Sequence, residues 1–414
     1  MSWKTGIVLA VVLAALGGFV YYDTYWLTPA RDKTTAAQGR LWTVEPKDIE
    51  ALTIKRKGET IRARRVEGGG WELSEPIKGP GDRGVLDEIV TSLATLRMDR
   101  EIDGNPSKLA EFGLDPPEVE VVLQVKDRAE RLVLLVGDKN PTGAWVYGKE
   151  ATKPAVLALG EIVSRDTTRP LLDFRDKTVI VFDRKSVTGL TLESGSERIA
   201  LETEDDGKWK IVRPGPYPAD ADLVRDFLDK LERARAKAFV AETGTALAQY
   251  GLDKPARARI LIGKDNARSS KEVLFGRVDA EKKGVYVRRD GDSPIMLVGD
   301  ELWAAYPKTV AALRDKVVLA YAYDKVAKLE VDHAKGRVVL ERDGTGWKVT
   351  APEALKADTS AVNALLWSLR DLRALGFLAD DAAAIPRYLA KPAVTVRVWE
   401  EGATEPRTLL LAPS

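Results

Sequence analysis

The chain has 414 residues, of which 64 are basic and 63 acidic, and 44% are hydrophobic. This is the composition of a globular chain long enough for about two to four domains, and its even charge balance argues against a nucleic-acid partner. The absence of cysteine excludes disulfides and thiolate metal sites, and a single histidine, His333, excludes sites built from several histidines. We expect neither a cofactor nor a metal.

The N-terminus carries an uncharged apolar run, GIVLAVVLAALGGFVYY at residues 6–22, with Trp3 before it and Trp26 after it. A helix over this stretch would be about as long as a hydrocarbon core is thick, roughly 30 Å, and aromatic residues suit both membrane interfaces. The run predicts one transmembrane anchor in residues 1–26, followed by a linker at 27–39. The cytoplasmic membrane is therefore the first expected partner.

A cleaved signal peptide is the alternative interpretation of this segment, with the small residues Ala15 and Gly17 as the cleavage site. Basic residues lie on both sides of the run, so they do not decide its orientation. A very short tail ahead of a long soluble region is typical of chains whose remainder is exported. We expect a single-pass inner-membrane protein whose residues 27–414 are extracytoplasmic, or periplasmic.

The first predicted hairpin, TIKRKGETIRAR at residues 53–64, is basic. Its cations alternate along two paired strands and are expected to share one face of the sheet. The group consists of Lys55, Lys57, Arg62 and Arg64. Such a face near the membrane could contact anionic headgroups or an acidic partner, and a simple solvated face is the alternative.

A tryptophan motif occurs three times at a constant spacing of 138 residues. The three stretches are GGGWELSEP at 68–76, DGKWKIVRP at 206–214 and GTGWKVTAP at 344–352. Two strand-like runs precede each motif, so Trp71, Trp209 and Trp347 are each predicted to begin a third strand, which the proline ends. Each tryptophan shares a face with an aliphatic residue, which favours core packing over a sugar-stacking platform.

An amphipathic helix is predicted after each tryptophan strand. Asp82, Asp220 and Asp358 stand just before the three stretches, again 138 residues apart, and are expected to be N-caps. The apolar positions follow one another at spacings of three, one and three residues, which form a stripe on one helix face.

The copies then turn back into strands. FGLDPP at 112–117 and YGLDKP at 250–255 end a helix with glycine, whereas the third copy reads YLAKP at 388–392. The first two copies add further strands and a helix, ending in FRDK at 174–177 and LRDK at 313–316. The third copy stops at TLLLAPS, as either a shortened domain or a fragment, and we expect it to be the least stable.

The repeats predict an α+β fold of tandem copies, each a mostly antiparallel sheet covered by a helix, after one transmembrane helix. The predicted boundaries are 40–176 for the first copy, 177–315 for the second and 316–414 for the truncated third.

These ordered motifs resemble a bacterial family known as domain-of-unknown-function family 4340. The shared features are the Trp strand ending in proline, the Asp-capped helix, the YGLDPP-like turn and the VGDKNPTG loop at 136–143. The resemblance implies a membrane-anchored envelope protein, often encoded near ABC-type transporters similar to those linked with gliding motility. It implies no catalytic or binding residues.

Candidate catalytic features are few. His333 is expected in an exposed turn, and no serine or cysteine elbow accompanies it. The acidic run Glu204, Asp205 and Asp206 is expected to be a solvated turn rather than a cation site. The loop at 136–143 lacks the order of a phosphate-binding loop.

We therefore expect a non-enzymatic, membrane-anchored envelope protein, an accessory subunit of an ABC-type transport complex. Its expected partners are a transporter permease or related envelope proteins. The alternative is an envelope carbohydrate-binding or cell-wall-binding protein, or a hydrolase with an interdomain site.

Overall fold

The computed structural model describes residues 39–204, 207–243, 246–263, 268–289, 291, 294–378, 380, 383 and 385–413. The predicted anchor at 1–26 lies outside these residues, as do Asp205 and Asp206.

Within the described part of the chain, no helix has both the length and the apolar character needed to span a bilayer.

The chain divides between Lys177 and Thr178 into two compact units. The first unit holds one sheet and the second holds two, and every strand pairing among the described residues is antiparallel. The prediction of repeated, mostly antiparallel sheets with few helices is confirmed. The three domain boundaries given above stay predictions.

The first sheet has nine strands in the order β4-β3-β2-β1-β6-β7-β8-β9-β5. Its strands are β1 (Ile49–Arg56), β2 (Glu59–Arg65), β3 (Trp71–Glu75), β4 (Gly79–Gly81), β5 (Met98–Asp103), β6 (Val119–Val125), β7 (Leu132–Lys139), β8 (Trp145–Glu150) and β9 (Val156–Gly160). Its helices are α1 (Arg83–Ala94), α2 (Ile162–Thr167) and α3 (Leu171–Phe174).

The second sheet repeats this order as β13-β12-β11-β10-β15-β16-β17-β18-β14. Its strands are β10 (Val187–Ser194), β11 (Glu197–Thr203), β12 (Trp209–Arg213), β13 (Tyr217–Pro218), β14 (Ala236–Ala241), β15 (Ala256–Ile262), β16 (Ser269–Asp279), β17 (Gly284–Arg289) and β18 (Ile295–Gly299). Its helices are α4 (Ala221–Arg233), α5 (Glu301–Ala305) and α6 (Val310–Leu313).

The third sheet has six strands in the order β22-β21-β20-β19-β23-β24. They are β19 (Val326–His333), β20 (Gly336–Asp343), β21 (Gly346–Ala351), β22 (Leu355–Lys356), β23 (Val394–Glu400) and β24 (Arg407–Leu411). The helices of this copy are α7 (Thr359–Arg370) and α8 (Ile385–Leu389).

The three long helices begin where the sequence predicts. Asp82, Asp220 and Asp358 are the N-caps of α1, α4 and α7, and each carboxylate accepts a hydrogen bond from a backbone N–H of the first turn. This contact satisfies donors that the first helical turn leaves free. The apolar stripe of each helix then packs against its own sheet.

Each copy has its own hydrophobic core between the long helix and the inner face of the sheet. In the first, Leu86, Ile89 and Leu93 of α1 lie in one cluster with Leu52 and Ile54 of β1. The α4 stripe lies in the second core and the α7 stripe in the third. The predicted strand–strand–strand–helix order of each copy is confirmed.

Five strands were missed from the sequence. The short strands β4, β13 and β22 follow the proline and fold back on the tryptophan strand. The edge strands β5 and β14 pair with β9 and β18, which come some 60 residues later in the chain. β5 reads MDREID and is mostly exposed, so it lacks the apolar alternation that marks a strand.

The third copy has a less complete core. Phe227 of α4 is fully buried and packs edge-to-face on Tyr306, with ring centroids 5.6 Å apart. The corresponding residue of α7 is Leu365, which is 38% exposed because no element of the described third copy occupies the place of α5 and Tyr306. We infer that α7 is held less firmly than α4.

Hydrogen exchange of the backbone amides tests this inference. The amides of α7 should exchange on the order of tenfold faster than those of α4, because partial exposure of a leucine forfeits part of its burial energy. The helices α1 and α4, both in complete copies, serve as the reference pair and should differ less. Equal protection of α4 and α7 would contradict the inference.

Candidate functional site

The sheet places most of the predicted basic group together. Arg62 pairs with Thr53 and Arg64 with Ala51 across β1 and β2, so Lys55, Arg62 and Arg64 share the outer face. Lys57 lies exposed at the turn between the two strands.

All three face residues form ion pairs with glutamates. Lys55 Nζ lies 2.7 Å from Glu120 Oε1, Arg62 Nη1 lies 2.8 Å from Glu75 Oε1, and Arg64 Nη2 lies 2.6 Å from Glu72 Oε2. The hydrogen bond from Arg64 is the largest cause that lowers the pKa of Glu72 below its ordinary value. Exposed pairs of this kind are worth little, so an external anion can compete for the cations.

A shallow groove of about 360 Å³ lies on this face and includes Lys55, Arg62 and Arg131. Arg131 is an exposed cation that the sequence reasoning missed, because β7 follows β1 by about 80 residues and the sheet alone brings them together. The second copy carries Glu193, Ala200 and Glu202 at the positions of Lys55, Arg62 and Arg64. The second copy therefore lacks this basic face.

The three tryptophans are not equivalent. Trp71 and Trp347 are 3% and 2% exposed and belong to the first and third cores, whereas Trp209 is half-buried. Core packing is confirmed for two of the three, and Trp209 departs from the prediction of equivalent burial.

Two substitutions in the second copy account for this departure. Trp71 Nε1 donates to Asp87 Oδ1 at 2.9 Å, and Trp347 Nε1 donates to Asn363 Oδ1 at 3.2 Å. The second copy has Arg225 at that position, and a guanidinium cannot accept a hydrogen bond.

The second copy also lacks the arginine that covers the tryptophan ring in the other two copies. Arg65 and Arg342 lie 4.4 and 4.8 Å from the centroids of the Trp71 and Trp347 rings, each from the residue paired directly with the tryptophan. Thr203 is the residue paired with Trp209. Trp209 thus lacks both the acceptor and the covering cation of its counterparts.

A cavity of about 590 Å³ lies beside Trp209. Lys208, Trp209, Asp220 and Asp315 line it from the second copy, and Val317 and Arg373 line it from the third copy. This is within the range of small-ligand sites.

Arg314 joins the second and third copies near this cavity. Its guanidinium lies 4.2 Å from the ring centroid of Tyr217 and 3.6 Å from that of Phe377, and Nη1 donates to Asp380 Oδ1 at 2.5 Å. The bond from Arg314 is the main cause that lowers the pKa of Asp380, and the bond to Asp380 is the main cause that raises the pKa of Tyr217. We call Arg314, Tyr217, Phe377 and Asp380 the Arg314 clamp.

The third copy carries an exposed apolar segment that the sequence reasoning did not single out. Leu375 and Leu378 have the highest exposed fractions of any large hydrophobic residue in the described chain, 104% and 83%. Trp367 of α7 is 43% exposed and its ring lies 4.6 Å from that of Tyr323. We call Leu365, Trp367, Leu372, Leu375 and Leu378 the α7 apolar segment.

The remaining candidates lie where the sequence places them. His333 is exposed at the end of β19, and its Nδ1 accepts a hydrogen bond from the N–H of Lys335 at 3.1 Å. The loop at 136–143 spans the β7–β8 turn, where Asn140 accepts a bond from the N–H of Trp145 at 3.0 Å. Among the described residues, no three His, Asp or Glu side chains are grouped closely enough to hold a metal.

The fold and these surfaces define a class of protein built from successive antiparallel sheets, each packed on an Asp-capped helix. The family model described as domain of unknown function, DUF4340, matches residues 71–210, 209–392 and 347–412, and the chain belongs to this family. The three matches begin at Trp71, Trp209 and Trp347, so the repeating sequence unit starts at the tryptophan strand of one sheet, and the first two matches run past the start of the next.

Other comparisons add little. A search of curated proteins found no match. One solved structure, a DNA polymerase sliding clamp from Pseudomonas aeruginosa with a bound ligand, aligns over 92% of this chain and 96% of its own, at 9% identity and a TM-score of 0.15. A score this low does not indicate a shared fold.

Replacement of the tryptophans by phenylalanine should distinguish the copies. Trp71→Phe removes a hydrogen bond to a carboxylate and should lower the free energy of opening of the first sheet by about 1–3 kcal/mol. Trp209→Phe should lower the free energy of opening of the second sheet by less than about 1 kcal/mol, because no indole hydrogen bond to an acceptor on the helix is lost there. Hydrogen exchange of β1 and β10 measures both values, and a larger loss at Trp209 would contradict the assignment of its environment.

The basic face should bind anionic membranes. In a form lacking residues 1–26, the triple variant Lys55→Gln, Arg62→Gln, Arg64→Gln should bind phosphatidylserine vesicles on the order of 100-fold more weakly at low salt, since each cation contributes about 1 kcal/mol near such a surface. The control replaces Lys108, Lys126 and Arg128, three exposed cations elsewhere in the first copy. Equal losses of vesicle affinity in both triple variants would mean that net charge, and not the basic face, determines membrane binding.

Proposed function

We propose that the protein is a non-enzymatic, single-pass inner-membrane protein, anchored by residues 6–22, whose tandem sheets lie on the extracytoplasmic side. In this role it is an accessory subunit of an ABC-type transport complex and contacts the permease or a related envelope protein. Membership of the DUF4340 family is consistent with this role through the envelope setting that the resemblance implies.

The α7 apolar segment is the observation that carries the proposal. In the second copy, the side chain at the position of Leu365 is Phe227, which is fully buried and packs on Tyr306, the residue that follows α5. In the third copy Leu365 is 38% exposed, and Trp367, two residues further along α7, is 43% exposed. Several large apolar side chains exposed within one short stretch of chain are characteristic of protein–protein contact surfaces.

The outer faces of the sheets provide a second kind of surface. Glu330 is 2% exposed on β19 and pairs with Arg337 and with Arg397, whose Nη1 lies 2.6 Å from Glu330 Oε1. Glu272 on β16 is likewise held by two arginines, Arg257 and Arg259. Both carboxylates are thus neutralised by arginines of the same sheet, which orders these arginines on the outer faces.

Site-specific photocrosslinking in native membranes tests the proposal. A photoreactive residue at Leu365 or Trp367 should crosslink to an integral-membrane component of an ABC-type transporter. Probes at Arg225 and Asp226, exposed on the equivalent helix α4, are the matched control and should give on the order of tenfold less product.

Deletion of residues 1–26 should release the protein from membranes and abolish the crosslink. Crosslinking to soluble proteins only, or equal crosslinking from α4 and α7, would contradict the proposed role. Retention of the truncated protein as an integral component would contradict the anchor.

A further inference from the structure

The cavity beside Trp209 differs from the matching hollow in the third copy because its tryptophan ring is partly exposed. Trp209 packs on the second core and also lines the cavity. A hollow of similar volume, about 600 Å³, lies at the same place in the third copy, but there Trp347 is 2% exposed and its ring is covered. The second copy alone combines the hollow with an accessible indole.

The charges in the cavity wall are largely satisfied by one another or by the backbone. Lys210 Nζ lies 3.6 Å from Glu204 Oε1, Asp220 caps α4, and Asp222 Oδ1 accepts a bond from Arg225 Nη2 at 2.5 Å. The lining contains both acidic and basic side chains, so its electrostatic potential favours neither an anionic nor a cationic ligand. The wall instead offers hydrogen-bond donors and acceptors around an apolar floor.

The floor is apolar and rigid. Pro216, Pro218 and Ala219 lie next to Trp209 in the lining, and proline has little backbone freedom to lose when a ligand binds. Asp315 adjoins this floor, because its N–H donates to the carbonyl oxygen of Pro218 at 2.9 Å, and its Oδ1 accepts a bond from the N–H of Val317 at 2.9 Å. The Arg314 clamp holds the second and third copies together at this place.

A neutral sugar ring has the chemistry that this site would recognise. One face of such a ring presents C–H groups that stack on an indole, and its edge presents hydroxyls that donate to carboxylates and accept from ammonium and guanidinium groups. We infer that the cavity is a binding site for a neutral saccharide, with Trp209 as the stacking platform and with Asp220, Asp315 and Arg373 at hydrogen-bonding positions around the sugar edge. This inference is independent of the proposed partner contact at α7.

The test is a titration of the full-length protein in a sugar-free detergent, followed by the indole N–H resonances. The probes are two neutral oligosaccharides, tetra-N-acetylchitotetraose and maltotetraose. At least one should shift the Trp209 resonance saturably, with a Kd on the order of 1 mM or below. The resonance is assigned by its loss in Trp209→Phe.

Two variants separate ligand binding from folding. Trp209→Ala removes the platform and should weaken binding at least tenfold. The double variant Thr203→Arg, Arg225→Asp restores the two partners that cover Trp71 in the first copy, so it should abolish binding while the sheet stays folded. Trp71→Phe is the matched control and should bind the probe as the parent protein does.

Three outcomes would overturn the inference. The first is that neither oligosaccharide shifts the Trp209 resonance. The second is that binding persists in the folded double variant. The third is that inorganic phosphate or tetramethylammonium shifts the resonance while the neutral sugars do not.

Discussion

The packing of one amphipathic helix on the inner face of one antiparallel sheet is the interaction on which each copy depends. An aspartate fixes where the helix begins, and its apolar stripe then meets the strands at a fixed register. In the second copy Tyr306, the residue that follows α5, packs edge-to-face on Phe227 of this stripe. Where that contact is missing, as at Leu365, apolar surface stays exposed.

The tryptophan strand shows how one fold acquires different surfaces. In the first copy Asp87 accepts the indole hydrogen bond and Arg65 covers the ring, so Trp71 belongs to the core. In the second copy the residues at both partner positions differ, and Trp209 is half-buried beside a cavity. The basic face and the accessible Trp209 thus arise from changes at matched positions of a common framework, whereas the exposure of Leu365 arises where an element of that framework is missing from the described third copy.

The candidate sites were less predictable than the fold. The alternation of Lys55, Arg62 and Arg64 is local, so the sequence was enough to place them on one face. Their partners Glu120 and Arg131 come from strands far along the chain, and only the strand order of the sheet makes them neighbours. The exposure of Trp209 depends on side chains of a strand and a helix, and no local pattern reports it.

By itself, the sequence determined the number of copies, the strands and helix around each tryptophan, the helix caps and the family, because periodicity, turn residues and caps act over a few residues. The tertiary structure alone decided the strand order, the edge strands β5 and β14, and which tryptophan is accessible. The physical reason is that burial and hydrogen-bond partners are properties of residues brought together from distant parts of the chain. An arginine at position 225 looks like any exposed helix residue until the fold shows that its counterparts in the other two copies accept the indole hydrogen bond.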